Sequence, residues 1–135
     1  MSNVIPDDLK HLLKEPIVVG LVTLMPDGQP QATPVWCSYD GEHILVNSTN
    51  TRQKDENMRE RPQVTVLAIN PENPYNYLEV RGEVVEITEA GALEHIHQLA
   101  KMYFNRDDFY AGMPELRGKE TRVIYKIKPL HVTGQ

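Results

Sequence analysis

At 135 residues, with 40% hydrophobic and 24% charged side chains, the chain is long enough for one domain with a substantial core, read as residues 1–135, and too short for two ordinary ones. A formal charge of -5 excludes a molecule-wide field that would draw in nucleic acid, leaving only a local basic patch open. The longest apolar run, residues 17–25, is too short to span a bilayer, and the N-terminus MSNVIPDDLK lacks the basic region and apolar core of a leader peptide, so a cytoplasmic protein is expected.

Residues 6–15, PDDLKHLLKE, place acids early, basic residues later and Leu9, Leu12 and Leu13 on one face, a short amphipathic helix ended near Pro16. Residues 17–25, IVVGLVTLM, form a strand stopped by the Pro26-Asp27-Gly28 turn. An antiparallel strand with one wet face alternates apolar and polar residues. This one does not, so both faces are expected to be covered, the second by another subunit. Gly20 inside it marks a bulge, a close backbone approach or plain packing.

Residues 31–39, QATPVWCSY, pair back as a second strand, and Asp40-Gly41 turns the chain into a third over 43–48. Pro34 withholds a ladder donor, so the second strand is an edge or is bulged there. A broken ladder leaves backbone groups free for a planar ring; an ordinary edge strand is the competing reading. Cys37, the only cysteine, excludes an intramolecular disulfide and a cysteine-based zinc site, and with no basic neighbour it reads as a small buried thiol.

Residues 50–61 read as a short helix capped by Asn50 or Thr51 and ended by Pro62. A strand over 63–69, a proline-bearing loop over 70–76 and a long strand over 77–87 follow, the last out of parity around Gly82 as a bulge would make it. A helix over 88–105 takes Thr88 as cap and carries Leu93, Ile96, Leu99, Ala100 and Tyr103 on one side. After a loop over 107–119, a strand over 121–128 sets Val123, Tyr125 and Ile127 against Arg122, Ile124 and Lys126. It is half-buried with one apolar exception, and Pro129 ends it before a tail or short edge strand. About six antiparallel strands with a short early helix and a longer late one give a mainly β fold, a barrel or sandwich.

Catalytic constellations are scarce. His95 and His97, two apart on a helix, face different directions and read as helix-surface histidines rather than a metal pair. Asp7-Asp8 and Asp107-Asp108 read as helix-start and loop carboxylates, and no nucleophile elbow, P-loop or dinucleotide fingerprint occurs. No acid, base or metal ligand is assigned.

What remains is the stretch 47–61, NSTNTRQKDENMRER. Arg52 and Lys54 donate to phosphate oxygens, and Ser48, Thr49 and Thr51 add neutral donors. A helix starting near Thr51 aims free amides at the same anion. Trp36, Tyr39, Tyr75 and Tyr77 are candidates to flank a ring, or else core and dimer packing. The competing reading of the stretch is a solvated helix in which Asp55, Glu56 and Glu60 offset Lys54, Arg59 and Arg61.

Taken in order and spacing, residues 21–36 (LVTLMPDGQPQATPVW), Asp40-Gly41, 51–58 (TRQKDENM), 61–64 (RPQV), 80–82 (VRG) and 129–134 (PLHVTG) carry a further likeness. On them the chain resembles the pyridoxamine 5'-phosphate oxidase-like superfamily, and within it the branch of small proteins that use the deazaflavin coenzyme F420. The resemblance implies a split β-barrel of the FMN-binding type and a homodimer with cofactor sites at the interface. It implies an oxidoreductase passing hydride from reduced coenzyme F420 to a small conjugated acceptor, with FMN as the alternative cofactor. A non-catalytic protein that binds a flavin or haem-like ligand is the second reading. Neither nucleic acid nor a membrane is an expected partner.

Carried onto this chain, the resemblance gives Arg52 and Lys54 the cofactor phosphate, with Asn47, Thr49 and Asn57 in support. It lays Gln31, Thr33, Pro34 and Val35 along the ring system, and puts Tyr75 and Tyr77 at positions that carry an aromatic near the site, that of their own or of the other subunit. Residues typical of pyridoxamine phosphate recognition are not evident, so a true pyridoxamine phosphate oxidase is not expected.

Overall fold

A computed structural model describes residues 3–135. Met1 and Ser2, part of the N-terminus read as lacking a leader, lie outside the described residues. The early helix is split. Asp7–Leu9 forms a 3-10 turn behind Pro6 and α1 (His11–Lys14) continues it, with Leu9, Leu12 and Leu13 all buried as the pattern requires.

The first hairpin pairs β1 (Val19–Leu24) with β2 (Pro30–Val35). Its turn is fixed by Gly28 at φ 89°, by Gly28 N–H donating to Met25 O, and by Asp27 Oδ1 accepting from Gln29 N–H. The single second strand read over 31–39 is in fact two strands, because Trp36 breaks it. Residues Cys37–Tyr39 form β3, which pairs not with β1 but with β4 (Ile44–Thr49). Pro34, opposite Gly20, sits on a terminal strand where its missing donor costs nothing. The Tyr103 hydroxyl serves the backbone at the crossing, accepting from Cys37 N–H at 3.1 Å and donating to Ile17 O at 2.8 Å.

After α2 (Gln53–Glu60) come β5 (Gln63–Ile69), β6 (Tyr77–Thr88), α3 (Ala92–Phe104) and β7 (Arg122–Gly134). The seven strands run β2-β1-β5-β6-β7-β4-β3, every pair antiparallel. The two ends of that order are consecutive in the chain, so the sheet curls into a β-barrel split at Trp36. This is the mainly β split-barrel fold expected, with seven strands rather than six. Leu21, Val46, Val66, Leu78, Val80, Tyr125 and Ile127 fill its interior, and each buried aliphatic contributes about 1.5–3 kcal/mol.

The last strand does not stop at Pro129. It runs on to Gly134 beside β6, because Pro129 faces Gly82 where the register shifts and no ladder donor is called for. The bulge read at Gly82 is present. A Cβ there would lie 2.4 Å from Lys128 O, so only glycine lets the two long strands close. Thr88 ends β6 instead of capping α3. Its Oγ1 accepts from Ala90 N–H, a local turn that competes with helix, and Gly91 at φ 77° occupies the N-cap. The loop after α3 holds two 3-10 turns, Phe109–Gly112 and Pro114–Leu116.

β1 buries Val19, Leu21 and Thr23 inward, while Gly20, Val22 and Leu24 are half-buried and Val18 is exposed. Leu67 and Ile69 of β5 and Leu130 of β7 are also exposed. Among the described residues, no helix is long and apolar enough to cross a membrane.

Candidate functional site

The split at Trp36 is also where three of the chain's basic residues converge. A cleft of about 300 Å³ is lined by Pro34, Val35 and Trp36 at the strand break, Asn47 and Ser48 of β4, and Arg52 and Lys54 at the start of α2. Ile96 of α3, Phe109 of the following loop and Arg122 of β7 complete it. Among the described residues, three cations and no carboxylate line this cleft, in a protein whose net charge is -5. Burial holds the Lys54 ammonium below the usual lysine range, and repulsion from Arg52 adds to it. An anion seated between them would relieve both effects.

Local structure explains the presentation. β4 ends at Thr49, whose Oγ1 lies 3.0 Å from Thr51 Oγ1, and Arg52 in extended conformation occupies the helix N-cap in place of Asn50 or Thr51. The N–H groups of Asp55 and Glu56 both turn back to Arg52 O, as the first helical turn must. The solvated-helix reading is half right. Asp55 does neutralise Arg59 at 2.9 Å, but Asp55 is buried, and Arg61 donates to Leu24 O at 2.8 Å, so neither is an idle surface charge.

Of the expected site residues, Pro34, Val35, Asn47, Arg52 and Lys54 line the cleft together. Thr49 lies buried at the base of the α2 turn. Thr33, three residues before the break, has a buried Oγ1 with no hydrogen-bond partner among the described residues, and it lines a separate pocket with Val18, Gly20 and Pro34 rather than this cleft. Asn57 is fully buried and spent on the scaffold. Its Nδ2 donates to Thr23 Oγ1 at 3.0 Å and Gln31 Oε1 at 3.4 Å, while its Oδ1 accepts from Gln53 and Arg61. Asn57 and Gln31 therefore brace α2 against β1 and β2 and do not line the cleft. Tyr75 is 78% exposed in the β5–β6 loop and Tyr77 opens β6; neither lines the cleft of its own chain.

Tyr39 lines a different cleft, of about 480 Å³, with Lys10, Glu42, His43 and Lys128. That cleft is larger, but it mixes both signs of charge, and Lys10 is already paired with Asp7 at 2.7 Å. The smaller cleft differs in that, among the described residues, its lining holds cations and no carboxylate, although Arg122 is paired with Glu120 at 3.3 Å. Cys37 is fully buried and burial pushes its thiol up to about 12, as the reading of an inert thiol requires. No group of three or more His, Cys, Asp or Glu side chains is placed to hold a metal ion among the described residues.

Ile96, Phe109 and Arg122 escaped the sequence reading as site residues. Arg122 sits opposite Thr49, on the face of β7 that looked solvated. The signal was Ile124, the apolar exception on that face. It is buried, and α3 lies over β7 and β4. Beneath Arg122 the polar groups are fully specified. Its Nε donates to Asn47 Oδ1 at 2.9 Å, which fixes the amide, and Asn47 Nδ2 then donates to Ala92 O at 2.8 Å and to His95 Nδ1 at 3.1 Å. His95 Nε2–H is left to donate to Ser38 Oγ at 2.9 Å.

His95 is therefore a buried, neutral histidine and not a surface one. Burial, with Arg122 nearby, lowers its pKa to about 4. The unfolded chain takes up a proton as pH falls through the ordinary value near 6.5, whereas the native chain resists until about 4. His95 thus contributes stability present above pH 6.5 and lost as pH falls toward 4, on the order of 3 kcal/mol across that window. Urea unfolding of wild type and His95→Gln at a series of pH values checks this. The gap in pH dependence between the two is expected inside that window, and parallel curves would contradict it.

A barrel split at one strand crossing, with a cation-lined cleft in the split, defines a split β-barrel protein. A family profile described as pyridoxamine 5'-phosphate oxidase matches residues 5–135, and the chain belongs to that family. Among solved structures, an F420 reductase is 33% identical over 97% of this chain and 100% of its own, with a TM-score of 0.84. A conserved hypothetical protein of Mycobacterium tuberculosis is 20% identical over 98% of this chain and 86% of its own, TM-score 0.73. The haem storage protein HutZ of Vibrio cholerae is 16% identical over 97% and 94%, TM-score 0.67. The last two share the fold alone. A comparison with curated proteins gives no match.

Proposed function

We propose that the protein is a flavin- or deazaflavin-dependent oxidoreductase that passes hydride from reduced coenzyme F420 to a small conjugated acceptor, with FMN as the alternative cofactor. The observation that carries this reading is the convergence of Arg52 and half-buried Lys54, with no carboxylate, on the cleft at the strand break. The 33% identity to an F420 reductase over that chain's full length supports it. Arg52 and Lys54 neutralise the cofactor phosphate with charge-assisted hydrogen bonds, beside the first-turn amides of α2. Pro34 and Val35 lie along the ring, and Trp36, Ile96 and Phe109 keep water from it. When bound, a deazaflavin supplies obligate hydride transfer, whereas FMN also permits one-electron and oxygen chemistry.

The chain itself is given no acid or base. His95 is held neutral with both nitrogens occupied, and burial raises both the Cys37 thiol and the Tyr103 hydroxyl. The residues of the cleft bind, orient and dry the site. Fluorescence titration with coenzyme F420 and with FMN tests the assignment, and tight FMN binding with no deazaflavin binding overturns the first choice. The lack of a proton-transfer pair also favours a second reading, a non-catalytic flavin- or haem-binding protein, which the fold shared with HutZ supports. A bound, reduced cofactor that passes hydride to no member of a broad acceptor panel decides for it.

We further propose a homodimer, with Tyr75 and Tyr77 reaching the site of the opposite subunit. Val18 just before β1, Leu67 and Ile69 of β5 and Leu130 of β7 leave an apolar outer face that a second copy would bury. Light scattering is expected to give twice the 15.4 kDa chain mass, and Leu67→Asp to shift it toward the monomer. A monomeric wild type contradicts the dimer.

A further inference from the structure

The cleft's third cation is held differently from the other two. Arg52 and Lys54 are neighbours in sequence, and Arg52 is the charge that Lys54 feels. Arg122 comes from the far side, from the first residue of β7, and its side chain is only 10% exposed. Its guanidinium stacks over Phe109 at 5.0 Å, its Nη1 donates to Glu120 Oε2 at 3.3 Å, and its Nε donates to Asn47. Nη2 has no partner among the described residues, while the residue lines the cleft.

Behind it the donors run in one direction only. An arginine can only donate, so Asn47 must accept through Oδ1 and donate through Nδ2. His95 must then accept at Nδ1, carry its proton on Nε2, and end the chain on Ser38 Oγ. A buried network in which every member has one allowed orientation rigidifies the group at its end. We propose that Arg122 is the third anion contact of the cleft and that Asn47, His95 and Ser38 are positioning residues which hold its guanidinium toward the bound molecule. This rests on the reading of the cleft as a phosphate-bearing cofactor site, and assigns to α3 and β3 a role in setting its affinity.

The test is a double-mutant cycle on full-length protein, with FMN and coenzyme F420 each titrated by fluorescence and folding checked by thermal melts. Arg122→Gln is expected to weaken binding about tenfold or more, the scale of a hydrogen bond to a charged group. His95→Phe is expected to weaken it several-fold in the wild-type background and to add nothing once Arg122 is glutamine. If the two effects multiply, His95 does not act through Arg122 and the proposal fails. Should His95→Phe not fold, Ser38→Ala removes the outer anchor and enters the same cycle. Nitrogen-15 shifts of the imidazole give an independent readout: Nε2 protonated and Nδ1 bare, with the reverse tautomer overturning the relay. Lys54→Ala separates the two levels. Weakened binding there with an intact affinity in Arg122→Gln sinks this proposal alone, whereas no loss in Lys54→Ala, or no binding by wild type, sinks the cofactor reading and this proposal with it.

Discussion

Replacing Lys54 with alanine is expected to weaken cofactor binding by about 1.5–3 kcal/mol, the loss of one hydrogen bond to a charged group. The same change is expected to leave the unfolding free energy unchanged or slightly raised. The two outcomes belong together because Lys54 has no carboxylate partner among the described residues, is half-buried, and stands beside Arg52. A residue kept for stability would be paired; one kept for a ligand is held at some cost to the fold. Titration with the cofactor and urea unfolding of the same preparation measure both. Intact affinity would return the α2 segment to a plain surface helix, and a large loss of stability would make Lys54 a structural residue.

Gly82→Ala is expected to destabilise the protein by about 3 kcal/mol, through the backbone rather than through any lost contact. The added Cβ would stand 2.4 Å from Lys128 O and 3.1 Å from Ile127 Cγ2, so the two longest strands must part where the register already shifts. Neither neighbour has room to give, since Lys128 O is main chain and Ile127 is fully buried in the barrel. The check is the urea midpoint at unchanged slope. A shift below about 1 kcal/mol would mean that the bulge relaxes instead of clashing.

The elements most legible in the sequence were those with local causes. Leu9, Leu12 and Leu13 lie on the buried face that their spacing describes, the Pro26-Asp27-Gly28 and Asp40-Gly41 turns sit where their residue types demand, and β5 alternates as its pattern does. That Arg52 and Lys54 stand together at the start of α2, just past the end of β4, was also legible from their spacing, and both line one cleft. The errors came where a distant element intervened. Residues 31–39 looked like one strand because nothing local says that Trp36 must turn the chain from β1 to β4, where Tyr103, 66 residues away from Cys37, supplies the hydrogen bond. Pro129 looked like an end because the bulge that accommodates it lies on another strand. The place of Asn57, expected in support of Arg52 and Lys54, was likewise out of reach of the sequence, because its burial against Thr23 and Gln31 depends on how α2 docks.

By itself, then, the sequence determined the strand-rich composition of the fold, its turns, and a basic pair at the start of α2. Only the tertiary structure decided what stands across from that pair. Arg122, Phe109 and Ile96 reach the cleft because β7 pairs with β4 and α3 lies over both, and His95 becomes a neutral acceptor only when Asn47 and Arg122 are stacked behind it. Local propensity acts over a few residues, whereas a site assembled from β2, β4, α2, α3 and β7 depends on pairings between segments far apart in the chain, which no short window of sequence encodes.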